Sequence, residues 1–224
     1  MSRIRQTWSD LGPRVITAGV LLGVGILAVW AGSAVFSALV VVVAAIMIGE
    51  LTVMLRRGFE RKRDWALGGF YFLVIICGAL GLMALADEGR VQLLFYIGIV
   101  VVTDTMGYFV GRAVGGPKFW PAISPKKTWS GVIGGWAGSA VLAVLCQPIL
   151  PLAPENVGIF VLLAVAVSFA SQLSDIIESA LKRRAGVKDS SHLLPGHGGF
   201  MDRFDALVGV GALYYVVSLL DALV

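Results

Sequence analysis

Charge is what this chain has least of. Lys, Arg, Asp and Glu make up 14% of its 224 residues, where an average soluble domain carries roughly 25%. Histidine and cysteine are scarcer still, at two each. Cys77 and Cys146 both lie inside apolar runs, so no disulfide framework holds the fold together. No tandem repeat or low-complexity tract is present, and no polar stretch is long enough to fold as a soluble domain. The net charge of +4 does not signal a nucleic-acid binder, because Lys and Arg on so apolar a chain serve to orient membrane spans. Polar residues run to Arg14, and the apolar run after them lacks a cleavage pattern, which argues against a removable signal peptide.

What is present in abundance is apolar sequence, 58% of the chain. Seven apolar segments fall at about 15–32, 33–49, 66–86, 91–112, 131–152, 158–178 and 204–224, most of them near the roughly 20 residues that cross a bilayer as a helix. The fold class expected is all-α: a polytopic membrane helix bundle of about seven transmembrane helices, forming one integral membrane domain over 1–224. Spans 1–3 occupy 1–90, and spans 4–7 with loops 113–130 and 179–203 occupy 91–224. Only Gly32 and Ser33 separate the first two spans, which predicts a tight hairpin. Seventeen of the eighteen Lys and Arg residues fall on one side of this arrangement, with Arg90 alone on the other. The positive-inside rule then puts the N-terminus and the basic loops in the cytoplasm of a multi-pass inner (plasma) membrane protein, and the C-terminus outside. Trp30, Trp65, Trp120, Trp129 and Trp136 fall at or near span ends, as an interfacial aromatic belt would.

The polar residues are concentrated. One stretch, Ser179 to Asp205, holds both histidines, His192 and His197, with Lys182, Arg183, Arg184, Lys188 and Arg203 and the carboxylates Asp189, Asp202 and Asp205. Asp104, Asp175 and Glu178 lie within or at the ends of apolar spans, where a carboxylate costs at least about 2.5 kcal/mol unless it is paired or wet. On a continuing helix, Asp175, Glu178, Ser179 and Lys182 share one face. Asp202 and Asp205, three apart, also share a face if a helix begins there. Asp175 and Asp202 can then converge on a divalent cation, and carboxylate-only ligation suits Mg²⁺ or Mn²⁺ rather than zinc. Lys182, Arg183 and Lys188 are the natural phosphate partners. Gly198 and Gly199 let backbone approach a ligand closely, and His197 sits among them. Arg184 can serve topology alone, His192 reads as a loop residue, and Asp189 can pair with Lys188.

A second loop, Gly111 to Gly131, gathers Ser124, Lys126, Lys127 and Thr128 into a compact set of cationic and hydroxyl donors, stiffened by Pro121 and Pro125. It suits a phosphate, and equally the anionic headgroups of the bilayer.

Two patterns carry a resemblance. The first is Ser179-x-x-Lys182-Arg183-x-x-x-x-Lys188-Asp189-x-x-x-x-x-Pro195-x-His197-Gly198-Gly199-x-x-Asp202-Arg203-x-Asp205. The second is Asp104-x-x-x-Tyr108-x-x-Gly111-Arg112 followed by Ile123-Ser124-Pro125-Lys126-Lys127-Thr128. Together they resemble the CDP-diacylglycerol synthase, or phosphatidate cytidylyltransferase, family over about 104–210. The resemblance implies transfer of CMP from CTP to phosphatidate, giving CDP-diacylglycerol and pyrophosphate. It implies divalent-metal ligation at Asp175 and Asp202, with a monovalent cation such as K⁺ beside it. It implies phosphate and nucleotide handling by the basic residues of the signature. The site set expected is therefore Lys182, Arg183, Lys188, Asp189, His197 and Asp205 in catalysis, and Ser124, Lys126, Lys127, Thr128, Gly198, Gly199 and Arg203 in substrate binding. Partners are CTP, phosphatidate, membrane lipids and, as one option, a second copy in a homodimer, with no nucleic acid. Ser130 stands where the family usually has glutamate, and Ser174 where it usually has glycine. The chain is also shorter than typical members, as if one or two N-terminal spans were missing or reduced.

The chemistry agrees with that reaction. A phosphate nucleophile needs no strong base, and the harder task is to bring two polyanions together and stabilise charge on pyrophosphate. Two other readings stay open: a CTP-dependent enzyme acting on another lipid, such as a polyprenol kinase, and an ion-coupled transporter using Asp104 and Asp175. The transporter gives the dense polar loop no use, and no inverted repeat of broken spans is evident.

Overall fold

The computed structural model describes residues 11–58 and 62–222. Of the basic residues in the topology count, Arg3, Arg5 and Arg61 lie outside them. Backbone N–H and C=O groups find no water in a bilayer core, so apolar segments of this length become helices. The described residues form α1 (Leu11–Ala31), α2 (Ser33–Gly58), α3 (Lys62–Glu88) and α4 (Arg90–Val114). Next come a β-hairpin, β1 (Lys118–Trp120) and β2 (Ser124–Thr128), and α5 (Trp129–Cys146), which ends in a 3₁₀ turn. Last are α6 (Val157–Arg184) and α7 (Met201–Asp221). Six of these helices, α2 to α7, are long and apolar enough to cross a membrane, and α1 contributes a shorter apolar stretch, Val15–Ala31. The protein is a multi-pass helical membrane bundle. Cys77 and Cys146 are half-buried and unpaired.

Single glycines make the tightest turns. Gly32 (φ 116°) joins α1 to α2 and Gly89 (φ 124°) joins α3 to α4, a conformation that a side chain disfavours. The α5–α6 connection is tied down by Gln147, whose Nε2 donates to the carbonyls of Pro154 (3.0 Å) and Glu155 (3.1 Å). Asn156 then caps α6 by accepting from Ile159 N at 3.2 Å.

The structure differs from the sequence reading in several places, and α2 runs to Gly58 where the expected span ended at 49. α6 continues six residues beyond the predicted span, to Arg184, because Leu181 extends its buried face and a Glu178–Lys182 ion pair (2.6 Å) joins successive turns. The predicted loop 113–130 contains the hairpin, with Lys118 opposite Thr128 and Trp120 opposite Ser124. α5 stops at Cys146 rather than 152, since Pro148 and Pro151 cannot continue a helix. Trp136 also sits two turns inside α5, where its Nε1 donates to Gln172 Oε1 at 3.0 Å.

Small residues set the helix spacing, as van der Waals packing in lipid requires. A Cβ on Gly81 of α3 would fall on the carbonyl oxygen of Gly211 of α7, and one on Gly131 of α5 would lie 2.6 Å from the carbonyl oxygen of Gly107 of α4. Gly209 of α7 lies as closely against Ser174 of α6. α7 is thereby wedged between α3 and α6. One buried cluster (Met47, Leu51, Tyr71, Ile75, Leu181, Met201) joins α2, α3, α6 and α7 directly beneath the long connection from α6 to α7.

Candidate functional site

α6 and α7 bring their acids together. Asp175 and Glu178 leave one face of α6, and Asp205 leaves the first turns of α7. One oxygen of each lies within 4.8 Å of the others. Glu178 is fully buried and Asp205 nearly so. Two lysines enter the cluster. Lys127 Nζ lies 2.6 Å from Asp175 Oδ2, and Lys182 Nζ lies 2.6 Å from both Glu178 Oε2 and Asp202 Oδ1. Asp202 thus belongs to the same network but sits across Lys182 from the other three acids. Its Oδ2 accepts from Ser190 N (2.9 Å), Ser190 Oγ (2.8 Å) and Gly199 N (2.8 Å).

Four carboxylates against two ammonium groups leave the network with excess negative charge. Both Glu178 oxygens are buried, Oε2 in an ion pair with Lys182 and Oε1 without a hydrogen-bond partner. Buried carboxylates in that condition are costly. An all-oxygen donor set of this kind fits a hard divalent cation. Asp175, Glu178 and Asp205 are close enough together that they would hold one if it bound here, with Asp202 next to them.

The hairpin forms a second wall. With α4 and the start of α5 it encloses a cavity of about 560 Å³, whose lining includes Asp104, Arg112, Lys118, Ser124, Lys126 and Lys127. Ser130 Oγ donates to the Gly115 carbonyl at 2.5 Å, closing the hairpin onto the end of α4. Thr128 is buried and caps α5, accepting from Gly131 N at 3.2 Å. Arg112 Nη1 donates to the Tyr108 hydroxyl at 2.7 Å.

The remaining expected residues spread out. Arg183 is exposed, with its Nε donating to the Ile123 carbonyl at 3.4 Å, which links α6 to the hairpin. Lys188 and Asp189 are exposed, and no ion pair joins them. Arg203 donates through Nε (2.9 Å) and Nη2 (2.7 Å) to the His197 carbonyl, so it braces the loop. His197 is half-buried with its Nδ1 enclosed and unpartnered, while His192 is exposed. Gly198 turns the chain at φ 84°. The N–H of Gly199 is taken by Asp202, and the space its side chain would fill holds Glu50 and Ser190. Arg184 pairs with Asp64 at 2.9 Å. Sequence reasoning missed Glu50. It closes an apolar run and carries no spacing signal, yet it is buried against this loop.

The same segment answers to a known family. A family model described as the cytidylyltransferase family matches residues 60–220. The chain belongs to the cytidylyltransferase family. Among curated cytidylyltransferases, it is 40% identical over 178 residues to a phosphatidate cytidylyltransferase of Brucella abortus biovar 1 (strain 9-941), covering 79% of this chain and 65% of that one. A Bacillus subtilis (strain 168) protein of the same name is 42% identical over 135 residues, 59% of this chain and 50% of its own. One from Staphylococcus epidermidis (strain ATCC 12228 / FDA PCI 1200) is 41% identical over 131 residues, 55% and 47%. The chain thus spans between about half and 65% of the length of these curated cytidylyltransferases. The family segment runs from just before α3 through almost all of α7 and leaves α1 and α2 outside it.

Proposed function

We propose that this protein transfers CMP from CTP to phosphatidate, forming CDP-diacylglycerol and releasing pyrophosphate, at a site on the cytoplasmic face of the cell's inner membrane. The observation that carries this reading is the partly buried network of Asp175, Glu178, Asp205, Asp202, Lys127 and Lys182, set beside a basic cavity at the end of the bundle.

The phosphate oxygen of phosphatidate bonds to the α-phosphorus of CTP, and the bond from that phosphorus to the bridging oxygen breaks. The electron pair leaves with pyrophosphate. A phosphate monoester is already anionic, so the work is to align two polyanions and to spread the charge of the leaving group. Lys126, Arg112 and Ser124, lining the cavity, receive a phosphate group. Lys182 and Lys127, held by carboxylates, present fixed positive charge where charge develops. The exposed Arg183 and Lys188 meet the outer phosphates of the nucleotide. Mg²⁺ or Mn²⁺ held by Asp175, Glu178 and Asp205, with Asp202 adjacent, would polarise phosphoryl oxygens.

Purified protein in mixed micelles, given CTP, Mg²⁺ and phosphatidate, is expected to release one pyrophosphate per CDP-diacylglycerol formed. Diacylglycerol in place of phosphatidate, or ATP in place of CTP, should give no product. Release of CDP with phosphorylation of a lipid alcohol would overturn the proposal in favour of a kinase.

A further inference from the structure

Glu50 is a buried carboxylate on α2, ten residues before the family-matched segment begins. Each of its oxygens bonds one loop hydroxyl and one amide at the start of α7. Oε1 accepts from Ser191 Oγ (2.5 Å) and Phe200 N (3.0 Å). Oε2 accepts from Met201 N (2.8 Å) and lies 3.2 Å from Ser190 Oγ. α7 has no side-chain N-cap of its own, so Glu50 satisfies two N-terminal amides that would otherwise be orphaned in a buried position. A carboxylate at the positive end of a helix is also favoured electrostatically.

The connection 185–200 is held by the side chains of Glu50, Asp202 and Arg203 rather than by regular structure. Its regular structure amounts to one isolated bridge, Leu194 with Gly198. Yet Asp202 takes three of its hydrogen bonds from this loop, two from Ser190 and one from Gly199. The Ser190 hydroxyl lies between Glu50 and Asp202, and Asp202 in turn holds Lys182. Ser190 and Glu50 together leave no room for a side chain at 199, since a Cβ there would fall on Ser190 Oγ and lie 2.5 Å from Glu50 Oε1.

We infer that Glu50 is a positioning residue for the reaction: from α2 it clamps Ser190, Ser191 and the first amides of α7, and so holds Asp202 and Lys182 in register with the acids of α6. The inference rests on the proposed site. It assigns α2, outside the family segment, a part in assembling that site.

The test is hydrogen–deuterium exchange and steady-state kinetics on the full chain in lipid micelles, comparing wild type with Glu50→Gln and Ser191→Ala. Glu50→Gln should speed exchange of the amides in 196–204 about tenfold or more while leaving α5 unchanged, because hydrogen bonds to a charged acceptor are the stronger ones. It should lower kcat about tenfold or more with KM for phosphatidate within about twofold, since none of the hydrogen-bond partners of Glu50 lines the cavity. Ser191→Ala, which removes one of the four contacts and preserves the carboxylate, should move both readouts the same way by about two- to fivefold. Unchanged exchange in 196–204 overturns the inference. So does faster exchange there with wild-type kcat, which would make Glu50 an anchor without a role in the reaction. Faster exchange across all helices overturns it too, as the mark of general destabilisation. If wild type itself shows no CMP transfer, the proposed function falls, while the exchange result still reports whether Glu50 clamps the loop.

Discussion

At the scale of single residues, Lys126 and Lys127 are neighbours with different surroundings. Side chains alternate along a strand, and β2 places Lys127 against Asp175 while Lys126 stays exposed on the cavity wall. On the proposed reaction, Lys127→Ala should lower kcat about a hundredfold, since it removes fixed charge from the carboxylate network. Lys126→Ala should chiefly raise KM for a phosphate-bearing substrate, by about three- to tenfold. Asp175→Asn combined with Lys127→Ala should cost far less than the product of the two single losses, because the two side chains act as a pair. Equal single effects, or a multiplicative double, would separate Lys127 from the acids. The sequence pattern named both lysines but treated them alike, because their difference depends on a strand hidden in what read as a loop. The acids were more legible. Asp175, Lys182, Asp202 and Asp205 stand out as charges at helical spacing in apolar sequence. Glu50 does not, since its partners lie 140 to 151 residues away.

Helices are the next scale, and here glycine decides how closely α7 approaches α3. Adding a methyl at Gly81 forces the backbones apart at Gly211, and overpacking of this kind costs about 1–3 kcal/mol. Gly81→Ala should therefore lower the thermal midpoint in detergent by several degrees. It should also reduce activity, because α7 carries Asp202 and Asp205. Gly69→Ala, on the same helix with nothing near its Cβ, should leave the midpoint unchanged or slightly raised. An equal loss in both variants would mean that glycine in α3 serves flexibility rather than contact. Glycine content predicted close packing but not which pairs meet, since contacts between helices have no local signature. Charge misled the placement of helix ends for a related reason. Lys182 to Arg184 read as loop, yet a membrane helix readily carries cations past the bilayer surface on its last turn.

The whole molecule is polarised. At one end lie the hairpin, the 185–200 connection, and the Lys127–Asp175 and Arg184–Asp64 ion pairs. At the other, Arg90 stacks on Trp30 and donates to its carbonyl at 2.9 Å, and the Tyr214 hydroxyl bonds Glu88. Among the described residues that division follows the partition of Lys and Arg, fourteen against Arg90 alone, so the charge pattern and the path of the helices agree on which ends lie together. On the proposed function, the positive-inside rule turns the basic end toward the cytoplasm. A nucleotide with three phosphates reaches the proposed site from the cytoplasm only if the basic end faces it. In a background with Cys77→Ala and Cys146→Ala, single cysteines at two exposed loop positions, Glu155→Cys and Val187→Cys, flank α6 on opposite sides. A membrane-impermeant maleimide added to spheroplasts should label position 155 at once and position 187 only after the membrane is opened. Labelling of 187 in sealed spheroplasts, with 155 protected, would place the carboxylate network on the outer face, away from cytosolic CTP. The proposed reaction could not then run in the cell, whatever the purified protein did.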